Sequence, residues 1–328
     1  MNDRDRITAV LDRAGVGPIE SIEERTDHSG STCRLHHVLT GDRRLVAKVA
    51  DDRAIHERVA RELHVLRGIG HRLEGVAPTL VAGEIDSATP SCIVVLEHVA
   101  GRSGDSLSGD GGSDVEEILD RMSIAWGIDP NSPEVIDLAL PRWGRGSADE
   151  RPHRRRADRF ARRADILRER FPEMASIHDA LLDEIPRCFE TIARIPPDRP
   201  NRIIHGDLHL DNVVFSPAGP RILDWQTTSI GDPVDDVVRL AMESRRGLSV
   251  DSIVSLCARH PESHADPQTA ARSVIMTYAG LVSGLAGRPL LPPGSRDHRF
   301  VARMLSSGGC GTPTRDALEV FRDTAPSC

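Results

Sequence analysis

The chain has 328 residues, 39% hydrophobic and 28% charged, which is enough to bury one large two-lobed domain or two small ones and excludes predominant disorder. A formal net charge of −8 argues against a nucleic-acid partner, which usually meets a net basic domain. The longest stretch without a charge is the 15 residues from Ser273 to Gly287, short of the roughly 20 that a membrane-crossing helix needs, so no membrane partner is expected. Six cysteines lie far apart without a Cys-x-x-Cys pair, and Met1–Arg6 offers no apolar signal-peptide core, so reduced thiols and a cytoplasmic location are expected.

In chain order, Arg4–Gly15 has the spacing of a short amphipathic helix with Ile7, Val10, Leu11 and Ala14 on one face. Strand-like runs follow at Ile19–Arg25, Thr32–Leu39 and Arg44–Val49, the last two joined by the turn signal Thr40-Gly41-Asp42-Arg43. Residues Asp52–Ile69 place Ile55, Val59, Leu63 and Leu66 on one helical face, and Thr79–Ile85 and Cys92–Val99 read as strands. Gly101–Ser113, rich in Gly, Ser and Asp, reads as a linker. Helical patterns dominate beyond it: Val115–Trp126, Asp158–Arg170, Ile177–Ile195, Asp235–Glu243, Ser249–Arg259 and Thr269–Leu285, with one strand pair at Val213–Phe215 and Arg221–Leu223. The expected architecture is α+β: a small antiparallel-sheet lobe over residues 1–100, a hinge near residue 100, and a larger, mostly helical lobe over 101–328.

Of the 42 basic residues, 41 are arginine and one is lysine, Lys48. An ammonium is a compact point charge with three donors and a guanidinium a planar fork, so a single lysine in an arginine background is a candidate for chemistry. It sits in Leu-Val-Ala-Lys-Val, where strand alternation turns it away from Ala47 and Val49.

The densest signal is Ile203-Ile-His-Gly-Asp-Leu-His-Leu-Asp-Asn, followed by Arg221-Ile-Leu-Asp-Trp-Gln and Gly231-Asp-Pro-Val-Asp-Asp. Asn212 stands five residues after Asp207, and Asp224 ends a second apolar strand. Phosphoryl transfer needs a carboxylate to position the attacking hydroxyl and take its proton, and an Asn with a second Asp to hold magnesium. The spacing matches the protein-kinase catalytic loop His-x-Asp-x4-Asn, with Gly206 in place of its arginine.

On these residues the sequence resembles the aminoglycoside phosphotransferase and choline kinase-like family, over roughly Ser21 to Leu285. The resemblance implies a bilobal protein-kinase-like fold, a cleft for ATP or GTP, Mg2+, and transfer to the hydroxyl of a small acceptor. It implies that Asp207 is the catalytic base or a substrate-orienting carboxylate, that Asn212 and Asp224 bind metal, and that Asp236 braces the catalytic loop. It pairs Lys48 with Glu62, or with Glu57 as second choice. It gives backbone phosphate donors at Ser29, Gly30 and Ser31, and a purine-binding hinge at Glu97 and Val99.

Two positions depart from the family pattern: Gln226 stands where many members carry an acid, and Ala125-Trp126-Gly127 replaces a helix ending in Leu-His. His205 and His209 are four apart, as zinc ligands on a helix are, but Gly206 disfavours a helix there, so His205 is expected to anchor the loop. Residues 151–170 hold nine arginines, read as a solvated face opposite a stripe of Phe160, Ala164, Leu167 and Phe171. Gly280 and Gly284 suggest close helix packing in the core.

Residues 227–328 carry 11 acids and 11 bases, which disfavours a polycationic acceptor. One Tyr, three Trp and six Phe make an aromatic cage for a quaternary ammonium hard to assemble. A neutral, polyhydroxylated acceptor fits best: a sugar, a nucleoside- or macrolide-type antibiotic, or another secondary metabolite. A protein kinase and a non-catalytic nucleotide-binding module of the same fold are the alternatives.

Overall fold

The computed structural model describes residues 2–25, 33–41, 43–86, 89–104, 112–142, 151–170, 179, 181–189, 192, 201–243, 249–286 and 311–324. Helix α1 (Asp3–Arg13) opens the chain, its first turn closed by Asn2, whose side chain accepts from the Asp5 N–H. Five antiparallel strands follow, β1 (Ser21–Arg25), β2 (Arg34–Thr40), β3 (Arg43–Ala50), β4 (Leu80–Asp86) and β5 (Ser91–Glu97), in the order β1-β2-β3-β5-β4. Helix α2 (Arg53–Ile69) connects β3 to β4.

Alternation along β3 divides the sheet. Leu45, Ala47 and Val49 pack with Ile7, Val10 and Leu11 of α1 and with Ile93 and Val95, while Ala50 packs with Val94, Leu96 and the α2 residues Val59, Leu63 and Leu66. Lys48, paired in register with Val94, therefore shares the α2 face. On α2, residues 55, 59, 62, 66 and 69 form one stripe, and the position 62 that periodicity assigns to the core holds a glutamate.

The stretch read as a linker holds a strand near its start. Arg102–Ser103 form a short strand, β6, hydrogen-bonded to β8 (Val213–Ser216), which pairs in turn with β9 (Gly219–Ile222). A two-residue strand carries too little alternation to be seen in a Gly/Ser-rich sequence; residues 105–111 lie outside the described residues. Helices α3 (Gly112–Trp126), α4 (Pro133–Ile136) and α5 (Arg151–Arg170) follow. Phe160 of α5 packs at 6.3 Å, ring to ring, on Phe189 of the helical stretch 181–189. Phe171 lies outside the described residues. Strand β7 (Arg202–Ile204) pairs with β10 (Ser229–Gly231), and α6 (Pro233–Glu243), α7 (Val250–Ala258), α8 (Pro267–Ala286) and α9 (Gly311–Thr324) complete the lobe. Gly280 corrects the sequence reading: it is exposed, and among the described residues a Cβ there would meet nothing within 4 Å. Among the described residues no helix is long and apolar enough to cross a membrane.

Helix α6 is buried through Val234, Val237, Val238, Leu240 and Ala241. Beside these, Asp235 accepts a hydrogen bond from the Ser273 hydroxyl of α8. Burial first, and then the neighbouring Asp232, push the Asp235 carboxyl up to about 7. A carboxyl raised in the folded state stabilises the fold fully at low pH and loses that contribution as pH rises through about 7. The Asp235→Asn protein is therefore expected to gain on the native protein between pH 5 and 8, by about 2–4 kcal/mol at the upper end. Denaturant titrations at several pH values check this; parallel stability curves would contradict it.

Candidate active site

Three segments converge on the Lys48 ammonium. Its Nζ lies 2.9 Å from Glu62 Oε1, 2.7 Å from Glu62 Oε2 and 2.6 Å from Asp224 Oδ1. Lys48 is 9% exposed and Glu62 fully buried. Burial would lower the Lys48 pKa, but Asp224 and Glu62 outweigh it and hold the group charged, well above its ordinary value. Burial pushes the Glu62 carboxyl upward against the pull of Lys48, whereas Asp224, despite its own burial, is held below the carboxylate range by Lys48. Glu57 is not part of this cluster: it sits on the exposed side of α2, 4.0 Å from Arg53.

Asp224 occupies the left-handed region (φ 67°, ψ 56°) at the end of the β8–β9 hairpin, a conformation that costs a non-glycine residue roughly 1–2 kcal/mol. It is held there from both sides. Gln226 Nε2 donates to Asp224 Oδ2 at 2.6 Å, and the Trp225 N–H donates to Glu62 Oε1 at 3.3 Å. The departure at position 226 thus replaces a carboxylate with a donor to the neighbouring carboxylate. Arg61 of α2 also reaches the Gln226 carbonyl at 3.3 Å.

The backbone of the His205–Asp207 loop hangs from Asp236, which is fully buried. Its Oδ2 accepts from the His205 N–H at 2.9 Å and from the Trp126 indole at 3.2 Å, and its Oδ1 accepts from the Gly206 N–H at 2.9 Å. Burial raises the Asp236 carboxyl above its ordinary value, against the hydrogen bonds it accepts from Gly206, His205 and Trp126. The second departure is explained by the same contacts: Trp126, at the end of α3, supplies an indole donor to this carboxylate.

His205 is fully buried, with Nε2 2.9 Å from the Leu223 carbonyl and Nδ1 3.3 Å from the Asp207 N–H. One tautomer satisfies both bonds: Nε2–H donates and Nδ1 accepts. Its ring meets Trp225 edge-on at 5.1 Å, and its carbonyl accepts from the Thr227 hydroxyl at 2.8 Å. His205 is thus a loop anchor.

Asp207 projects from this frame. Its Oδ1 takes a hydrogen bond from Arg239 Nη2 at 3.1 Å, and its Oδ2 lies 3.7 Å from His209 Nε2. Burial works to raise its pKa, but His209 and Arg239 hold it well below the usual carboxylate range. Asn212 donates from Nδ2 to the Asp207 carbonyl at 3.0 Å, and its own carbonyl accepts from the Leu223 N–H at 2.7 Å, fixing the Asp207 loop to the strand end that carries Asp224. This bond engages the Asn212 amide nitrogen and leaves its side-chain oxygen as the atom suited to a cation. Among the described residues no three His, Cys, Asp or Glu side chains converge as a metal cage.

At the other end of the cleft, the Glu97 N–H is used within the first lobe by the Thr79 carbonyl at 2.9 Å, and the His98 N–H by the Arg44 carbonyl at 3.0 Å. Val99 lies just beyond β5. Ser29, Gly30 and Ser31 lie outside the described residues. The structure thus brings together Lys48, Glu62 and Asp224, and separately Asp207 and Asn212, with His205 and the Leu223 backbone bridging the two groups. Sequence reasoning passed over Arg239 and Thr227, and saw Trp126 and Gln226 only as departures.

A family model described as the phosphotransferase enzyme family matches residues 25–271. Acyl-CoA dehydrogenase family member 11 of Rattus norvegicus is 28% identical over 159 residues, covering 45% of this chain and 18% of that protein; the Gallus gallus protein of the same name is 26% identical over 184 residues, covering 55% and 22%. The match thus spans about a fifth of these longer relatives. Among solved structures, a spectinomycin phosphotransferase in complex with ADP and spectinomycin aligns with a TM-score of 0.66 at 12% identity, over 97% of this chain and 98% of that one. The GDP complex of an aminoglycoside 2'-phosphotransferase gives 0.60 at 17%, over 98% and 99%. A choline/ethanolamine kinase family protein from Mesorhizobium loti gives 0.54 at 18%, over 97% and 98%. At these identities the structural matches show the fold, which is the kinase-like α+β fold of those enzymes.

Gly206 provides a test of the loop frame. It has φ +79°, and a Cβ there would lie 2.6 Å from the Thr227 carbonyl oxygen, whereas Gly15, at φ +67°, has open space around the same position. Gly206→Ala should destabilise by about 2–4 kcal/mol, combining left-handed strain with displacement of backbone, and Gly15→Ala by about 1 kcal/mol. Thermal denaturation of both variants compares them, and equal losses would show that the Thr227 contact does not constrain the loop.

Proposed function

Because the chain belongs to the phosphotransferase enzyme family, we propose that it is a small-molecule O-phosphotransferase that moves the γ-phosphoryl group of ATP or GTP to an acceptor hydroxyl in the cytoplasm. In this reading residues 1–100 grip the nucleotide, and residues 101–328 carry the catalytic loop and the acceptor site. The observation that carries it is the Lys48–Glu62–Asp224 cluster joined through His205 and Asn212 to a low-pKa carboxylate at Asp207.

Lys48, fixed by Glu62, would hold the donor phosphates, and the backbone at Glu97 and Val99 would meet the purine. Ser29, Gly30 and Ser31 would supply backbone N–H groups to the phosphates. Asp207 would accept the hydrogen bond of the acceptor hydroxyl, orient its oxygen toward the γ-phosphorus and take the proton as the nucleoside diphosphate leaves. An ionised carboxylate suits that role, since only this form can take the proton of the hydroxyl.

The donor set also fits magnesium. Asp224 keeps 27% of its side chain exposed, and the Asn212 amide oxygen stands on the adjoining loop. One carboxylate and one neutral oxygen, completed by phosphate oxygens and water, is how this ion is commonly held. A magnesium ion there would neutralise phosphate charge during transfer.

The favoured acceptor is a neutral, polyhydroxylated antibiotic or other secondary metabolite; the antibiotic class, though not the charge, is that of neighbours whose complexes contain kanamycin or spectinomycin. A protein-kinase reading is disfavoured by chain geometry: after Asp224 only the turn Trp225–Thr227 and strand β10 precede α6 at Pro233, which leaves no space for a long activation segment.

Magnesium-dependent consumption of ATP and GTP against hydroxylated antibiotics, nucleosides, sugars and amino alcohols, with mass spectrometry for a gained phosphoryl group, tests the proposal. Asp207→Asn should reduce turnover by about 10²–10⁴-fold and leave nucleotide affinity nearly unchanged, because the base acts on the acceptor. Undiminished turnover in this variant would remove Asp207 from its role; nucleotide binding without turnover on any acceptor would favour the non-catalytic module. Lys48→Ala should instead weaken nucleotide binding, read as a raised nucleotide KM or Kd.

A further inference from the structure

Helix α6 touches the catalytic loop twice. Asp236, in its first turn, holds the His205 and Gly206 N–H groups, and Arg239, one turn later on the same face, reaches Asp207. The remaining faces of the helix are sealed by Val237, Val238, Leu240 and Ala241, so Arg239 is pinned at its base. Its side chain is 19% exposed, which leaves the guanidinium at the edge of the cleft, 3.1 Å from Asp207 Oδ1. An acceptor hydroxyl that reaches Asp207 must enter beside this cation.

The consequence is electrostatic. A lone carboxylate in a cleft attracts cationic acceptors, because field lines focus between low-dielectric walls. Here the carboxylate and guanidinium form a pair of zero net charge, and His209 on the other oxygen adds no negative charge. An ammonium carried a few ångströms from the reacting hydroxyl would lie close to the guanidinium and be repelled. Gln226 puts an amide where an acid would have added negative charge to the neighbouring loop.

We propose that Arg239 is a specificity-determining residue that excludes cationic acceptors, so that the alcohol phosphorylated here is neutral or anionic around its reacting hydroxyl. This rests on the phosphotransferase reading above and narrows its acceptor class. It favours the sugars and nucleosides of the panel over aminoglycosides and amino alcohols.

The test uses the full chain with ADP and kanamycin as the polycationic probe, followed by titration calorimetry on the native protein, Arg239→Gln and Arg239→Lys. Removing the cation should tighten kanamycin binding at least tenfold, and added salt should shrink that gain. Arg239→Lys keeps the charge without the fork and should exclude kanamycin as the native protein does, an outcome a purely structural role would not produce. Arg239→Met, which keeps the apolar stem, substitutes if the glutamine variant does not fold. Equal kanamycin affinity in native protein and Arg239→Gln, absence of binding to both, or an Arg239→Lys protein that behaves like Arg239→Gln overturns the proposal. Failure of the native protein to bind ADP would remove the phosphotransferase reading itself, and this proposal with it.

Discussion

The cleft is organised around one buried ammonium. Lys48 has three N–H donors, and three carboxylate oxygens surround it: both of Glu62 and one of Asp224. Those oxygens come from α2 and from the loop after β9, while the lysine comes from β3, so a single point charge ties two lobes and three segments together. Charges withdrawn from water cost several kcal/mol each unless their remaining valences are met. Here they are met by the Trp225 N–H on Glu62 and the Gln226 amide on Asp224. A guanidinium could not meet the three oxygens in the same way, because its donors are fixed in a plane. That geometric difference gives a physical reason for the one lysine of a chain that otherwise uses arginine.

A second frame, built from neutral groups and one buried carboxylate, holds the catalytic loop. Asp236 accepts from two consecutive backbone N–H groups and one indole, and His205 spans from the Asp207 N–H to the Leu223 carbonyl. These bonds make no direct contact with the cleft chemistry. They convert the flexible Gly206 into a fixed left-handed turn and set the distance between the Asp207 loop and the strand end bearing Asp224. The bonds of both frames are made between groups of the protein itself.

Much of this was legible in the sequence because the chemistry sits on short, strongly patterned segments. Strand alternation placed Lys48 opposite Ala47 and Val49, and the family resemblance, rather than periodicity, offered Glu62 ahead of Glu57 as its partner. The His-Gly-Asp spacing placed Asp207 and Asn212 on one loop, where the structure has them. What escaped needs tertiary register. Arg239 looks like any polar position of an amphipathic helix until Asp236 fixes the helix rotation, after which i+3 spacing aims it at Asp207. Trp126 looked like a lost motif because a donor to a carboxylate can come from unrelated side chains. Strand β6 hid in a Gly/Ser-rich stretch, since two ladder residues need no side-chain signal, and the exposed Gly280 shows that a small-residue spacing carries no packing information by itself.

The two ends of the cleft also differ in charge, and this bears on how a substrate pair would be received. Around Lys48 one cation faces two carboxylates, a local charge of −1, while Asp207 and Arg239 cancel. A bare polyphosphate approaching the Lys48 end would meet net repulsion. The same polyphosphate carrying a divalent cation would bring the charge that Asp224 and Glu62 leave unbalanced, and Lys48 could then exchange a carboxylate oxygen for a phosphate oxygen without being left unpaired. At the Asp207 end the Asp207–Arg239 pair itself carries no such excess, so orientation by this pair depends on hydrogen-bond geometry more than on attraction. Donor recognition by charge and acceptor recognition by shape and hydrogen bonding would then be separate properties of one cleft, the first fixed by strand β3 and helix α2, the second by helix α6.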